Sequence, residues 1–245
     1  MTDPTAATAT PPDNASMAED FIDIFVSPAK VFARRAKASP MVPLIVVCIL
    51  STVIFFMTKN VLSTVWDAQM QKQMALQMKA NPQLTQEMLD KSKPITNVII
   101  NIGGVVGPPI LLLVMSLVTW VIARFIMGGT LSFGTTVLIT AYSWLPRIVE
   151  GILSVVQGLA LDVSKMTSLF QLQEGAARFV DPDSMTNGLY TLLSQVDLFS
   201  IWCTVLVIIG LTHAGKLDKS KATITGVVVF VLAMVPALFQ VAMGK

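Results

Sequence analysis

No charged side chain occurs between Met41 and Thr58, between Pro94 and Ala123, between Phe125 and Pro146, between Leu198 and Gly215, or between Ala222 and Gly244. Apolar runs of about 18 or more residues are long enough to cross ~30 Å of hydrocarbon as helices. Lipid offers no hydrogen bonds to backbone groups, so each crossing must be helical or belong to a closed barrel. A barrel strand alternates apolar and polar residues, and these runs do not. The chain is therefore expected to be an all-α polytopic membrane protein, a bundle of five transmembrane helices. Its composition, 53% hydrophobic and 13% charged, stands well apart from soluble domains, in which roughly a quarter of residues are charged.

The spacing predicts crossings near 41–62, 98–123, 135–158, 189–212 and 223–243. Residues 1–18 are rich in Thr, Ala and Pro and lack the basic, apolar and small-residue regions of a signal peptide, so they read as a disordered tail ahead of a membrane domain over 19–245. Ser27 and Pro28 form an N-cap and first helical residue, which predicts a short amphipathic helix over 29–38. With Phe21, Ile24, Phe25 and Phe32 among Lys30, Arg34, Arg35 and Lys37, this segment suits the interface of an anionic membrane. A plain membrane-flanking anchor is the simpler alternative.

With the N-terminus in the cytoplasm, Lys30, Arg34, Arg35, Lys37, Arg124, Lys216, Lys219 and Lys221 fall inside, and an equal number of basic residues fall outside. Density decides between the orientations, because the inner residues crowd the approach to the first span and one short loop. The expected place is the bacterial inner membrane, N-terminus cytoplasmic and C-terminus outside. Cys48 and Cys203 fall within spans, where a thiol behaves as a small hydrophobe.

In the first outer loop Leu62, Trp66, Met70, Met74 and Met78 recur every fourth position. That periodicity continues the first helix beyond the bilayer until Pro82. Thioethers at Met70, Met74 and Met78 admit a Cu(I)-handling reading, against the plainer one of helix packing. The later outer loop, about 159–187, reads as solvated and acidic, with Met166, Leu169, Phe170 and Leu172 forming a helix along the surface and Asp181-Pro182-Asp183-Ser184 a turn and cap.

Polar groups in the apolar layer are costly, which singles out Arg147 and Glu150, three residues apart on one face of the third span. Pro146 removes a backbone donor and should bend that helix, freeing the Tyr142 carbonyl. The pair either lines a transport cavity or locks helices together, and the lock is favoured because arginine does not titrate. In the second span Gly103 and Gly107 have the separation that lets membrane helices approach closely, and Pro108 and Pro109 should kink it.

Catalytic signatures are absent: the single histidine, His213, sits at the end of the fourth span, and there is no zinc pair, Cys-x-x-Cys or nucleophile elbow. The chain is not expected to be an enzyme, and no cofactor, metal site or nucleic acid is expected.

The order of short motifs is itself informative. Phe21, Phe25 and Pro28 lead to Phe32, a basic stretch and Pro40; Arg124 to Phe133 reads Arg-Phe-Ile-Met-Gly-Gly-Thr-Leu-Ser-Phe; the third span carries Ala141-Tyr142-Ser143-Trp144-Leu145-Pro146. The fourth opens as Asp197-Leu198-Phe199-Ser200-Ile201-Trp202 and leaves as Ile209-Gly210-Leu211, before a polar turn and Lys221-Ala222. Over about residues 20–243 this resembles the Yip family, the Ypt/Rab-interacting membrane proteins, in its compact bacterial form. The resemblance implies a five-span bundle with a cytoplasmic N-terminus. In eukaryotic relatives it implies binding to Rab-type GTPases and roles in vesicle formation. This chain's short tail lacks their Asp-Leu-Tyr-Gly-Pro motif, which leaves GTPase binding doubtful.

The expected function is therefore a membrane-organising, scaffold or trafficking-like role. Its expected partners are the lipid bilayer and other membrane proteins or a second copy. A small-molecule or ion permease built on Arg147 and Glu150 is the alternative, and an outer-face metal-handling protein using the methionines is a third.

Overall fold

The computed structural model describes residues 15–81, 83–166, 168–181 and 184–242. Residues 1–14 of the expected disordered tail, the Pro82 break and the Pro182-Asp183 turn lie outside the described residues. The rest is all-helical: α1 (Met17–Val26), α2 (Pro28–Arg34), α3 (Met41–Val61), α4 (Ser63–Ala80), α5 (Gln86–Val121), α6 (Phe133–Ser143), α7 (Leu145–Ala160), α8 (Asn187–Ser194), α9 (Leu198–His213), α10 (Lys219–Ala233) and α11 (Val235–Ala242).

Among the described residues two single helices are long and apolar enough to cross a membrane: α3 and the continuous helix from Gln86 through α5 and a π-turn to Ile126. The α10 and α11 pair, bent by 41°, makes a third if it is one span. Three of the five expected crossings are thus interrupted. The third breaks at Trp144 and the fifth at Met234, each two residues before a proline, Pro146 and Pro236. Proline belongs in the first turn of a helix, where its missing N–H has no intrahelical partner. Restarting the helix just ahead of proline therefore avoids the penalty of an interior one, and the expected bend at Pro146 is a break. The fourth expected crossing divides into α8 and α9, because Asp197 caps the second piece.

The expected kink residues Pro108 and Pro109 lie inside α5, which continues as a helix through both. Pro108 leaves the carbonyl of Gly104 without its usual donor four residues on. The Thr52 hydroxyl of α3 donates to that carbonyl at 3.3 Å. At the same place a Cβ on Gly104 would collide with the Phe55 ring, so glycine is what lets α3 and α5 close together. Gly151 has the same role between α7 and α3, where a side chain would meet Ile54.

α6 is the axis of the bundle. Every residue from Thr136 to Ser143 is buried, and the helix packs against α3, α5 and α9. Its threonines return their hydroxyls to the backbone, Thr136 to Ser132 at 3.1 Å and Thr140 to Thr136 at 2.9 Å, so the polar groups cost little. Leu112, Leu138, Ile139, Tyr142, Leu206 and Leu211 complete the core around it.

The N-terminal segment is docked on this core. α1 starts at Met17, capped by the reciprocal pair Ser16 and Glu19, so the folded part begins ahead of the expected boundary at 18/19. Ile24, Val31 and Phe32 are fully buried, Phe32 stands edge-on to Tyr142, and Phe25 stands edge-on to Trp202. Outside the core, α4 turns its Met stripe inward, with Met74 buried and Met70 and Met78 half-buried. The surface helix expected around 166–172 is instead one 3-10 turn, Leu169–Leu172, whose Leu172 packs on Leu62 and Val65.

Candidate functional site

Where α6 breaks, Arg147 enters the first turn of α7. Its Nη1 donates to Glu150 Oε2 at 2.6 Å and to Asp197 Oδ2 at 3.2 Å. A cation near a helix N-terminus opposes the helix dipole, and Glu150, three residues further along α7, offsets the charge as an ion-pair partner. Asp197 is positioned by its own helix. As N-cap of α9 its Oδ1 accepts from the backbone N–H groups of Phe199 at 2.7 Å and Ser200 at 2.8 Å, and its side chain is fully buried. One arginine thus ties α7 to the start of α9. Among the described residues Glu150 Oε1 is buried without a hydrogen-bond partner.

Outward from this cluster α7 carries more polar groups. Ser154 donates to the Glu150 carbonyl at 3.0 Å, and Gln157 donates to Glu174 Oε1 at 2.9 Å. Arg178 donates to the same Oε1 at 2.8 Å, and the Glu174 carbonyl accepts from Leu198 N at 3.1 Å. The acidic outer loop expected to be solvated is therefore fastened at Glu174 onto α7 and α9.

Beside the cluster lies a cavity of about 480 Å³. Leu111, Val114, Val207, Val229 and Phe230 form its apolar wall, and the polar residues Arg147, Gln195 and Thr204 also line it. Trp144 and Pro236 also line it, so both broken helices open onto the same space. Ser143 is buried, and its Oγ has no hydrogen-bond partner among the described residues.

A second buried polar cluster fixes the N-terminal segment. Asp20 is fully buried and accepts from Arg34 Nε at 2.6 Å, from Arg35 Nε, and from the Tyr142 hydroxyl at 3.2 Å. Arg34 also donates to Asp23 Oδ2 at 2.6 Å. The basic cluster expected to face the membrane surface is thereby divided. Lys30 and Lys37 are exposed, but Arg34 and Arg35 turn inward onto carboxylates.

The pairing of Arg147 with Glu150 is present as a contact, joined by Asp197. Gly103 and Gly107 do not serve the internal packing of α5; among the described residues nothing lies within 4 Å of where their Cβ atoms would stand, and the contact falls to Gly104. Pro108 and Pro109 lie half-buried within the continuous helix. Asp197 and Asp20 were not anticipated as site residues. Asp197-x-x-Ser200 and Ser16-x-x-Glu19 are both readable as helix starts, and the first would have moved Asp197 from mid-span to a cap.

The Yip1 domain model matches residues 22–239. Membrane protein YknW of Bacillus subtilis (strain 168) is 25% identical over 142 residues, a match covering 56% of this chain and 56% of that protein. The chain spans little more than half the length of that relative. No solved structure matches.

Proposed function

The chain belongs to the Yip1 domain family, and from that membership and its helix surfaces we propose a non-enzymatic membrane scaffold, a five-span bundle that associates with other membrane proteins through helix contacts. The observation that carries this reading is the outward face of α5. Among the described residues Gly103 and Gly107 stand there with open space beyond them, whereas Gly104, between them, packs against α3. A neighbouring helix can approach such a surface closely, and close approach is what drives association where lipid removes the hydrophobic incentive.

In this reading α6 with α7, α9 with its approach, and α10 with α11 supply the three interrupted crossings. The N-terminus faces the cytoplasm of a bacterial inner membrane and the C-terminus lies outside. Support for that orientation comes from the grouping of one end of the bundle. α2 packs on α9, a Cβ on Gly210 would meet Phe32, and one on Gly215 would meet Leu131 of the turn after α5. Exposed Lys30, Lys37, Lys216, Lys219 and Lys221 belong to that end.

A permease would need the Arg147 pair to open during a cycle. Its short contacts with two carboxylates on two helices favour a fixed lock. The scaffold is tested by purifying the intact protein from its native membrane in mild detergent and identifying what accompanies it, beside a Gly107→Leu variant. Partners or self-association lost in the variant support the scaffold. Identical recovery from both proteins sinks the α5 interface.

A further inference from the structure

The cavity between α5, α6, α9 and α10 is apolar over most of its length. Its volume of about 480 Å³ falls within the usual range of small-molecule sites, roughly 300–1,000 Å³. Val114 and Val118 of α5, Val207 of α9, and Val229 and Phe230 of α10 line it. The hydroxyls on its wall are spent on nearby carbonyls: Thr119 donates to Met115 at 2.7 Å, Thr140 to Thr136 at 2.9 Å, Ser200 to Asp197 at 2.9 Å and Thr204 to Ser200 at 2.8 Å. Arg147 and Gln195 belong to the end nearest the cap of α9. A buried water needs two to four polar partners, and the rest of the wall does not supply them.

What fills such a space is decided by what lies outside it. Leu111 and Val114 of α5 and Leu232 of α10 line the cavity and are still 46%, 49% and 45% exposed, so it opens sideways between these two helices. The stretch of α5 on its wall, Leu111 to Thr119, lies inside the charge-free run from Pro94 to Ala123 of a helix able to cross a membrane. Hydrocarbon therefore stands at the opening. The lining on α10 and α11 runs from Gly226 to Pro236, about 15 Å of helix. That is half of the ~30 Å hydrocarbon layer, the depth of one leaflet.

We infer that one acyl chain of a bilayer phospholipid lies in this cavity, entering between α5 and α10 and held without selection for its headgroup. Protein interiors pack as densely as organic crystals, and the chain completes that packing beside Trp144 and Met234, where α6 and α10 break. The cavity does not include Gly103 or Gly107, so the site stands whether or not α5 recruits a second protein.

The test is native mass spectrometry of the detergent-purified full chain, offered equal amounts of phosphatidylethanolamine, phosphatidylglycerol and free fatty acid with identical chains. The expected result is one retained phospholipid per protein, the two headgroups within twofold of each other. Val114→Phe and Ala233→Phe, which fill the cavity, should each cut retention about tenfold, the worth of roughly two buried methylene groups. Val98→Phe, on α5 but away from the cavity, should leave it unchanged. In vesicles, brominated chains of the same phospholipids should quench the fluorescence of Trp144, read as the difference between the parent and Trp144→Phe, and Ala233→Phe should relieve that quenching. No retained lipid, retention of the fatty acid alone, a strong preference between headgroups, or equal effects of Val98→Phe and the two filling variants overturns the proposal.

Discussion

Arg147 and Asp197 are fifty residues apart in the chain and 3.2 Å apart in the fold. The contact joins the first turn of α7 to the cap of α9. Glu150 supplements it from the same helix as the arginine, so only Asp197 makes it a tie between segments.

Replacing Asp197 by alanine removes a cap, typically about 1 kcal/mol, and leaves a partly buried arginine short of a partner, which costs ~3–5 kcal/mol where burial is complete. Arg147 keeps Glu150, so the expected total is about 3 kcal/mol. Thermal unfolding in detergent measures it, and a variant as stable as the parent would contradict the tie.

Glu150→Gln should behave differently. The carboxylate has one oxygen buried without a partner, and an amide can still accept from Arg147 through its oxygen. Relief of desolvation offsets the lost charge, so stability should change by less than about 1 kcal/mol. The same variant separates scaffold from permease: solute flux that vanishes while the fold persists would move the function to transport.

Asp20→Asn tests the N-terminal clasp. The neutral side chain cannot balance Arg34 and Arg35, and α1 and α2 should detach ahead of the bundle. Hydrogen exchange should show protection lost across residues 17–38 and kept in α6. Uniform loss across all helices would mean that the segment is part of one cooperative core.

Gly104→Ala places a methyl group against the Phe55 ring and should cost ~1–3 kcal/mol, the usual range for overpacking. Phe55→Leu in the same chain should recover part of that loss. Gly103→Ala, one residue away and facing open space, should be neutral in the isolated chain. Equal costs at the two glycines would mean that α3 and α5 are packed differently.

What the residue pattern conveys about this fold follows the range of the forces involved. Absence of charge is a property of a whole segment, and it gave α3 from Met41 and the apolar length of α5 closely. Proline acts on its own neighbourhood, so the disturbance at Pro146 was legible; the same reasoning applied to Pro236 would have found the break at Met234. Pro108 escaped this logic because its remedy lies in another helix, at Thr52. Arg34 and Arg35 read as a membrane-facing cluster because the charge run does not say that Asp20, on the preceding helix, will be buried to receive them. The cavity is the product of two helix breaks and the start of a third helix, and no single segment announces it.

The hydrogen bond from Thr52 to Gly104 also bears on how the molecule is made. A helix carrying Pro108 and set alone in hydrocarbon would hold a carbonyl with nothing to accept from, an expense of several kcal/mol in that medium. Its donor sits on α3, which precedes α5 in the chain and so leaves the ribosome first. The second crossing therefore arrives at a membrane in which its complement already waits, and insertion of the pair becomes an ordered event in which the earlier helix acts as a template for the later one.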